Sequence, residues 1–127
     1  MSDESQTPLT ADLSNQVALV TGASRGLGRA IAQRLAAAGA RVACVARDES
    51  KLAETVSAIR EAGGQAEPFA CNVTDGEQVT AIVDKIAKDW GSLQILVNND
   101  GITRDTLFHR MQDKEWKEVI NTNLRGA

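Results

Sequence analysis

Thr21-Gly22-Ala23-Ser24-Arg25-Gly26-Leu27-Gly28 is the stretch on which the fold turns. The apolar run Val17-Ala18-Leu19-Val20 leads into it, and Arg29-Ala30-Ile31-Ala32-Gln33-Arg34-Leu35 leads out with helical spacing. A strand, a glycine-rich turn and a helix start follow one another. Gly22 permits a tight exit from the strand. Gly26 lets the backbone approach a ligand closely, and Gly28 lets the new helix lie against the sheet. The first turn of that helix carries N–H groups without intrahelical partners at the positive end of a helix dipole, an arrangement that suits a phosphate.

Outward from this turn the chain alternates. Strand one is expected from Gln16 to Thr21, buried on both faces. Helix one starts near Gly26, sets Leu27, Ile31 and Leu35 on one face and stops at Gly39. Strand two is Arg41 to Val45. Asp48 caps a second helix through Leu52, Val56 and Ile59, which Gly63-Gly64 ends. Strand three is Ala66 to Cys71. Thr74-x-x-Glu77 reads as a capping box for a third helix. Its apolar stripe is Val79, Ile82, Val83, Ile86 and Trp90, and Asp84, Lys85, Lys88 and Asp89 face water. Strand four is Leu93 to Asn98. A loop from Asn99 to Gln112 leads to a fourth helix near Asp113, with Trp116, Val119, Ile120 and Leu124 as its apolar positions.

This alternation implies an α/β fold: a Rossmann-like, doubly wound parallel sheet, truncated, with strand order 3-2-1-4. Residues 1–14 form a polar lead-in expected to be disordered, and 15–127 form the N-terminal half of a dinucleotide-binding domain. A ligand belongs at the C-terminal ends of strands one and four, where Gly22 to Gly28 meet Asn98 to Gly101. Strand four is apolar on both sides and is expected at the sheet edge, where such strands attract other chains.

Composition narrows the function. With 14 Lys+Arg against 17 Asp+Glu the net charge is −3, which gives no basic surface for nucleic acid or an acidic membrane. No apolar run approaches the roughly 20 residues of a membrane span. The first residues lack the basic and apolar regions of a secretory signal, so the expectation is a cytoplasmic protein. Cys44 and Cys71 lie in apolar strand-like runs without metal-type spacing, and read as buried free thiols; no metal site is expected. Asn72-Val73-Thr74 matches the glycosylation pattern, which without a signal peptide reads as accidental.

The spacing Thr-Gly-x-x-x-Gly-x-Gly resembles the nucleotide-binding segment of short-chain dehydrogenase/reductases. Within that family, Asn72-Val73, Asn98-Asn99-x-Gly101, Gly101-Ile102-Thr103-Arg104-Asp105, Arg110-Met111, Glu115-Trp116 and Thr122-Asn123-Leu124 are similar to the bacterial 3-oxoacyl-acyl-carrier-protein reductases. The resemblance runs from about Gln16 to Ala127. It implies a dinucleotide pyrophosphate over the turn, held by Gly22, Ser24, Gly26, Leu27 and Gly28, with Asn72 and Val73 at the adenine and Asn99 and Gly101 at the cofactor. It also implies a tetrameric whole protein and an acyl-carrier-bound substrate.

At the end of strand two, an acidic residue would bind the ribose of NAD, whereas a cation accommodates the 2′-phosphate of NADP. The tip here is Val45-Ala46-Arg47, with Arg25 in the glycine turn able to approach it. Two guanidinium forks suit a phosphate, so NADPH is the expected cofactor. Asp48 is read as a helix cap and not as a ribose ligand.

Two departures from the family stand out. The alanine of Asn-Asn-Ala-Gly is Asp100 here, an anion that would repel the phosphates and needs a partner if dry. The family's proton donor is a tyrosine whose pKa, ordinarily about 10, is lowered by a lysine four residues later, with a serine on the carbonyl. The chain contains no tyrosine, and of the family's catalytic set only Asn123 is present, where the family uses it to help hold a water. His109 reads as a surface residue. The chain alone is therefore expected to bind cofactor without catalysing reduction. The alternatives are a non-catalytic nucleotide-binding or interaction module, and a nonfunctional gene fragment.

Overall fold

Successive side chains of a strand point to opposite faces, and every residue of Val17–Thr21 is buried, so a layer must cover each face. A computed structural model describes residues 12–72, 75–91 and 93–99, together with the backbone of 118–120. The elements are β1 (Val17–Thr21), α1 (Gly26–Ala37), β2 (Arg41–Ala46), α2 (Glu49–Glu61), β3 (Gln65–Ala70), α3 (Gly76–Trp90), β4 (Ile95–Val97) and β5 (Glu118–Ile120). All pairings are parallel, in the order β3-β2-β1-β4-β5.

The core falls into two layers. Ala18 and Val20 of β1 join Val42, Cys44 and Ala46 under α1 and α2, where Ala32, Ala36, Leu52, Val56 and Ile59 close over them. Val17 and Leu19 join Ala43, Val45 and Leu96 beneath Val79, Val83 and Ile86 of α3. Helices therefore cover both faces, and the expected 3-2-1-4 order is present. The chain winds one way from β1 to β3, then crosses back to place β4 on the other side of β1. That reversal opens a crevice at the C-terminal ends of β1 and β4.

The structure corrects four local expectations. The buried stripe of α1 is Gly28, Ala32 and Ala36; Ile31 and Leu35 flank it, and Leu27 is 41% exposed. Small residues on the sheet side let the helix sit close, which rotates the leucine outward. The third helix begins one turn position later than the Thr74 box implied. Its cap is Asp75, whose side chain accepts from the Glu77 and Gln78 N–H groups; Thr74 itself lies outside the described residues. The end of the expected lead-in is ordered: Leu13 packs on the core, and its N–H donates to the Ala38 carbonyl at 2.7 Å, since one apolar side chain suffices to anchor a segment over the end of α1.

The fourth correction concerns Val119 and Ile120, expected on a helix. They lie in β5, where Leu96 pairs with Val119 and Val97 with Ile120. Short apolar runs with β-branched residues fit either periodicity, and the open N–H and C=O row of a buried strand rewards pairing. Hence β4 is not the sheet edge. Trp116 and Leu124 lie outside the described residues.

Candidate functional site

The turn from Gly22 to Arg25 is held from three sides. On the β2 side, the Ala23 N–H donates to the Val45 carbonyl at 3.1 Å. From α2, the Thr55 hydroxyl donates to the Ala23 carbonyl at 2.9 Å, and both residues are fully buried. The Ala23 peptide is thus satisfied at both ends, as a buried backbone must be. On the β4 side, Thr21 Oγ1 accepts from the Asn99 N–H at 2.9 Å and donates to Asn98 Oδ1 at 3.3 Å. Asn98 is 1% exposed. The two strand ends that flank the crevice are therefore tied by side-chain bonds just past the last ladder pair, Val20 with Val97.

Two glycines are required by this geometry. Gly22 has φ +63°, and a Cβ there would meet the Asn99 amide nitrogen at 3.2 Å. A Cβ on Gly28 would strike the Gly22 carbonyl oxygen and lie 2.7 Å from Asn99 Nδ2. Gly28 thus makes room for the loop's own backbone and for Asn99, a tighter demand than helix-on-sheet packing alone. Around Gly26, apart from its chain neighbours and its own helix backbone, no atom of the described residues stands within 4 Å of where a side chain would begin, so this stretch of backbone faces open space.

That space is a cavity of about 590 Å³, lined on one side by Gly22, Ser24, Arg25, Gly26 and Leu27 and closed by Asn99. Its far wall is Ala46, Arg47, Asp48 and Lys51 at the junction of β2 and α2. At the α1 end, Arg25 occupies the cap position in extended geometry with no side-chain cap bond, and the first turn holds no acidic residue. The leading N–H groups of α1 are left for an anion in the cavity. At the α2 end the carboxylate of Asp48 is already used. It accepts from the Lys51 N–H at 3.1 Å and from the Ser50 hydroxyl at 2.9 Å. These bonds, led by the one from Lys51, hold its carboxyl below the usual carboxylate range.

Of the expected site residues, Gly22, Ser24, Arg25, Gly26, Leu27, Arg47 and Asn99 line this one cavity, and Gly28 shapes it from behind. Asn72 follows β3 outside the cavity lining. Its N–H donates to Gln78 Oε1 at 3.0 Å and its carbonyl accepts from the Asp75 N–H at 2.9 Å. Val73, Asp100, Gly101, His109 and Asn123 lie outside the described residues. Lys51 and Thr55 were not singled out from the sequence. Thr55 carried a signal nonetheless: a hydroxyl beside Leu52, Val56 and Ile59 on a buried stripe needs a partner. Lys51 stood three residues past a cap, where only the fold shows what it faces.

Cys44 and Cys71 are buried and form no disulfide, and burial pushes the Cys44 thiol up to about 12, far from the range of a reactive thiolate. Among the described residues no group of three His, Cys, Asp or Glu side chains gathers to hold a metal, and no helix is long and apolar enough to cross a membrane.

Comparison with known proteins agrees with this geometry. The family model described as short chain dehydrogenase matches residues 16–127. The 3-oxoacyl-[acyl-carrier-protein] reductase FabG of Escherichia coli is 47% identical over 112 residues, which cover 88% of this chain and 45% of that protein. The short-chain reductase protein NovJ of Streptomyces niveus is 47% identical over 111 residues, covering 87% and 42%. A crystal structure of a metagenomic short-chain oxidoreductase in complex with NADP superposes with a TM-score of 0.68 at 45% identity, over 70% of this chain and 40% of that one. The chain spans less than half the length of these relatives. With the matching turn, sheet order and crevice in place, the chain belongs to the short-chain dehydrogenase family.

Proposed function

We propose that this chain is the cofactor-holding part of an NADPH-dependent reductase, and that the whole protein converts 3-oxoacyl thioesters on acyl carrier protein to 3-hydroxyacyl thioesters. The observation that carries the cofactor assignment is the single cavity joining an uncapped helix start to Arg25 and Arg47. A dinucleotide needs a cradle for its pyrophosphate and a recognition point for its ribose. The lining residues suit both: backbone of the glycine turn along one wall with Arg25 at the α1 start, and Arg47 just past β2 on the other. Asp48, engaged as a helix cap, leaves no uncommitted carboxylate among the lining residues to favour a bare ribose 2′-hydroxyl.

When bound, the cofactor supplies a hydride to a carbonyl. The chain's own residues bind and orient it. The α1 N-terminus and Gly26 would hold the pyrophosphate, and Arg25 and Arg47 the 2′-phosphate; by the family resemblance Asn99 and Gly101 would touch the cofactor, and Asn72 and Val73 the adenine. Asn123 has the family's water-holding role only in company with a serine, a tyrosine and a lysine, and this sequence has no tyrosine. We propose that the 127 residues alone bind NADPH and turn over no ketone. The acyl-carrier substrate rests on the likeness to FabG proteins, which the equal likeness to NovJ does not sharpen. A cytoplasmic homotetramer acting on neither nucleic acid nor membrane completes the proposal.

Titrating the chain with NADPH and NADH, followed by nicotinamide fluorescence, tests it. Tighter binding of NADPH is expected; equal or tighter binding of NADH overturns the cofactor assignment. Reduction of a 3-oxoacyl thioester by this chain alone would overturn its assignment as a non-catalytic half.

A further inference from the structure

Lys51 belongs to the same cavity wall as Arg47; its N–H holds the Asp48 cap and its charge helps lower that carboxyl's pKa, but its ammonium forms no ion pair among the described residues. Among the described residues Arg29, Arg34 and Lys88 of the helices are, like Lys51, in no ion pair, but they lie outside this cavity lining; two other helical cations are paired. Lys85 is paired with Asp89 and Arg60 with Glu67, each at 3.1 Å. Among the described residues no ion pair engages Arg25, Arg47 or Lys51. Three cations from two separate segments therefore line one cavity. Among the described lining residues the one carboxylate, Asp48, spends its hydrogen bonds on the Lys51 N–H and the Ser50 hydroxyl.

The placement of Lys51 follows from that cap. With Asp48 at the cap position of α2, Lys51 is the third residue of the helix, and the Asp48 bond to its N–H fixes the first turn. Leu52 beside it is fully buried, and Thr55, one turn on, is bonded to the glycine turn. The face of α2 carrying residues 48, 51 and 55 is thereby docked against the cavity, so the Lys51 stem starts from a rigid position.

We propose that Lys51 is a specificity-determining residue, a third cation for the 2′-phosphate of the adenosine ribose. This rests on the cofactor assignment above. A phosphate monoester carries between one and two negative charges near neutral pH and three terminal oxygens. Two planar guanidinium forks suit two of those oxygens in fixed directions, and a lysine adds a compact point charge without demanding a plane. Lys51 thus separates ligands that bear a 2′-phosphate from those that do not.

Adenosine 2′,5′-bisphosphate and adenosine 5′-monophosphate differ only in that phosphate, and calorimetry on the 127-residue chain gives their affinity ratio. The wild-type chain prefers the bisphosphate. Lys51→Gln lowers the preference about tenfold, a change of about 1.4 kcal/mol; Lys51→Arg keeps most of it, and Lys85→Gln on α3 leaves it at the wild-type value. Circular dichroism checks that each variant keeps its fold, which an exposed side chain should not disturb. A wild-type preference that survives Lys51→Gln intact overturns the role of Lys51 and leaves the cofactor assignment standing. A wild-type chain that binds both ligands equally, or neither, overturns both.

Discussion

The Thr55 hydroxyl and the Ala23 carbonyl meet at 2.9 Å with neither residue exposed. This bond joins the middle of α2 to the middle of the glycine turn, two segments 32 residues apart in sequence. It makes the two walls of the cavity a single unit: the wall that carries Arg25 cannot move independently of the wall that carries Arg47 and Lys51.

Replacing Thr55 by Val keeps the shape and removes the donor. The Ala23 carbonyl is then buried without it, at a cost of about 1–3 kcal/mol. Urea unfolding should show that loss, and adenosine 2′,5′-bisphosphate should bind more weakly. Thr55→Ser restores the donor and should recover most of the binding. Weakening in the Ser variant with wild-type binding in the Val variant would show that the methyl group, and not the bond, matters.

Gly28→Ala should be more damaging than an alanine in a helix has any right to be. Alanine is the best helix former, yet here its Cβ meets the Gly22 carbonyl and the Asn99 amide. Overpacking against backbone costs typically about 1–3 kcal/mol. Both the melting temperature and nucleotide affinity should fall. An unchanged melting temperature would mean that the turn and Asn99 can yield at no cost.

Two groups set opposite pH limits. Burial raises the Cys44 thiol from 9.0 to about 12, so the folded state keeps its proton where the unfolded chain loses it. Its contribution to stability is complete below about 9 and is lost as pH rises towards 12. Asp48 has a lowered pKa; its contribution is present above the ordinary carboxylate value of 3.8 and is lost as pH falls through the depressed value. Because Asp48 is fully exposed, the acid effect should be the smaller. In a Cys71→Ala background, thiolate ultraviolet absorbance should rise only near pH 12, or on unfolding. A rise near pH 9 in the folded chain would contradict the burial of Cys44.

Asp100 is proposed to weaken cofactor binding, because it sets a carboxylate where the family carries alanine, one residue after Asn99 in sequence. Asp100→Ala should tighten NADPH binding, most of all at low salt, and should steepen its dependence on salt, since a repulsive charge that partly cancels the attraction of the lining cations is gone. Unchanged affinity in NADPH titration would remove Asp100 from the account.

Much of this was legible in residue order. The continuous apolar run of β1 announced a strand buried on both faces, and its glycine-rich exit announced an anion-binding helix start, because both depend on local backbone and side-chain chemistry. Asp48 as a cap was equally local: a carboxylate and the N–H groups of the next turn are within reach whatever the rest of the chain does. The exposure of Leu27 was not local. Which side of α1 is buried depends on how closely it approaches the sheet, and Ala32 and Ala36 won that contest by being small. Val119 and Ile120 fit a helix by spacing and a strand by side-chain shape, and pairing with β4 decided between them.

The sequence by itself determined the alternating parallel fold, the place of the crevice and the positive character of the β2 tip. Only the tertiary structure brought Lys51 onto the wall shared with Arg25 and set the Thr55 hydroxyl on the Ala23 carbonyl. The reason is reach. A cap, a turn or an apolar stripe is settled within a few residues, whereas a cavity wall is assembled from segments that meet only after two helices have docked on the same face of the sheet.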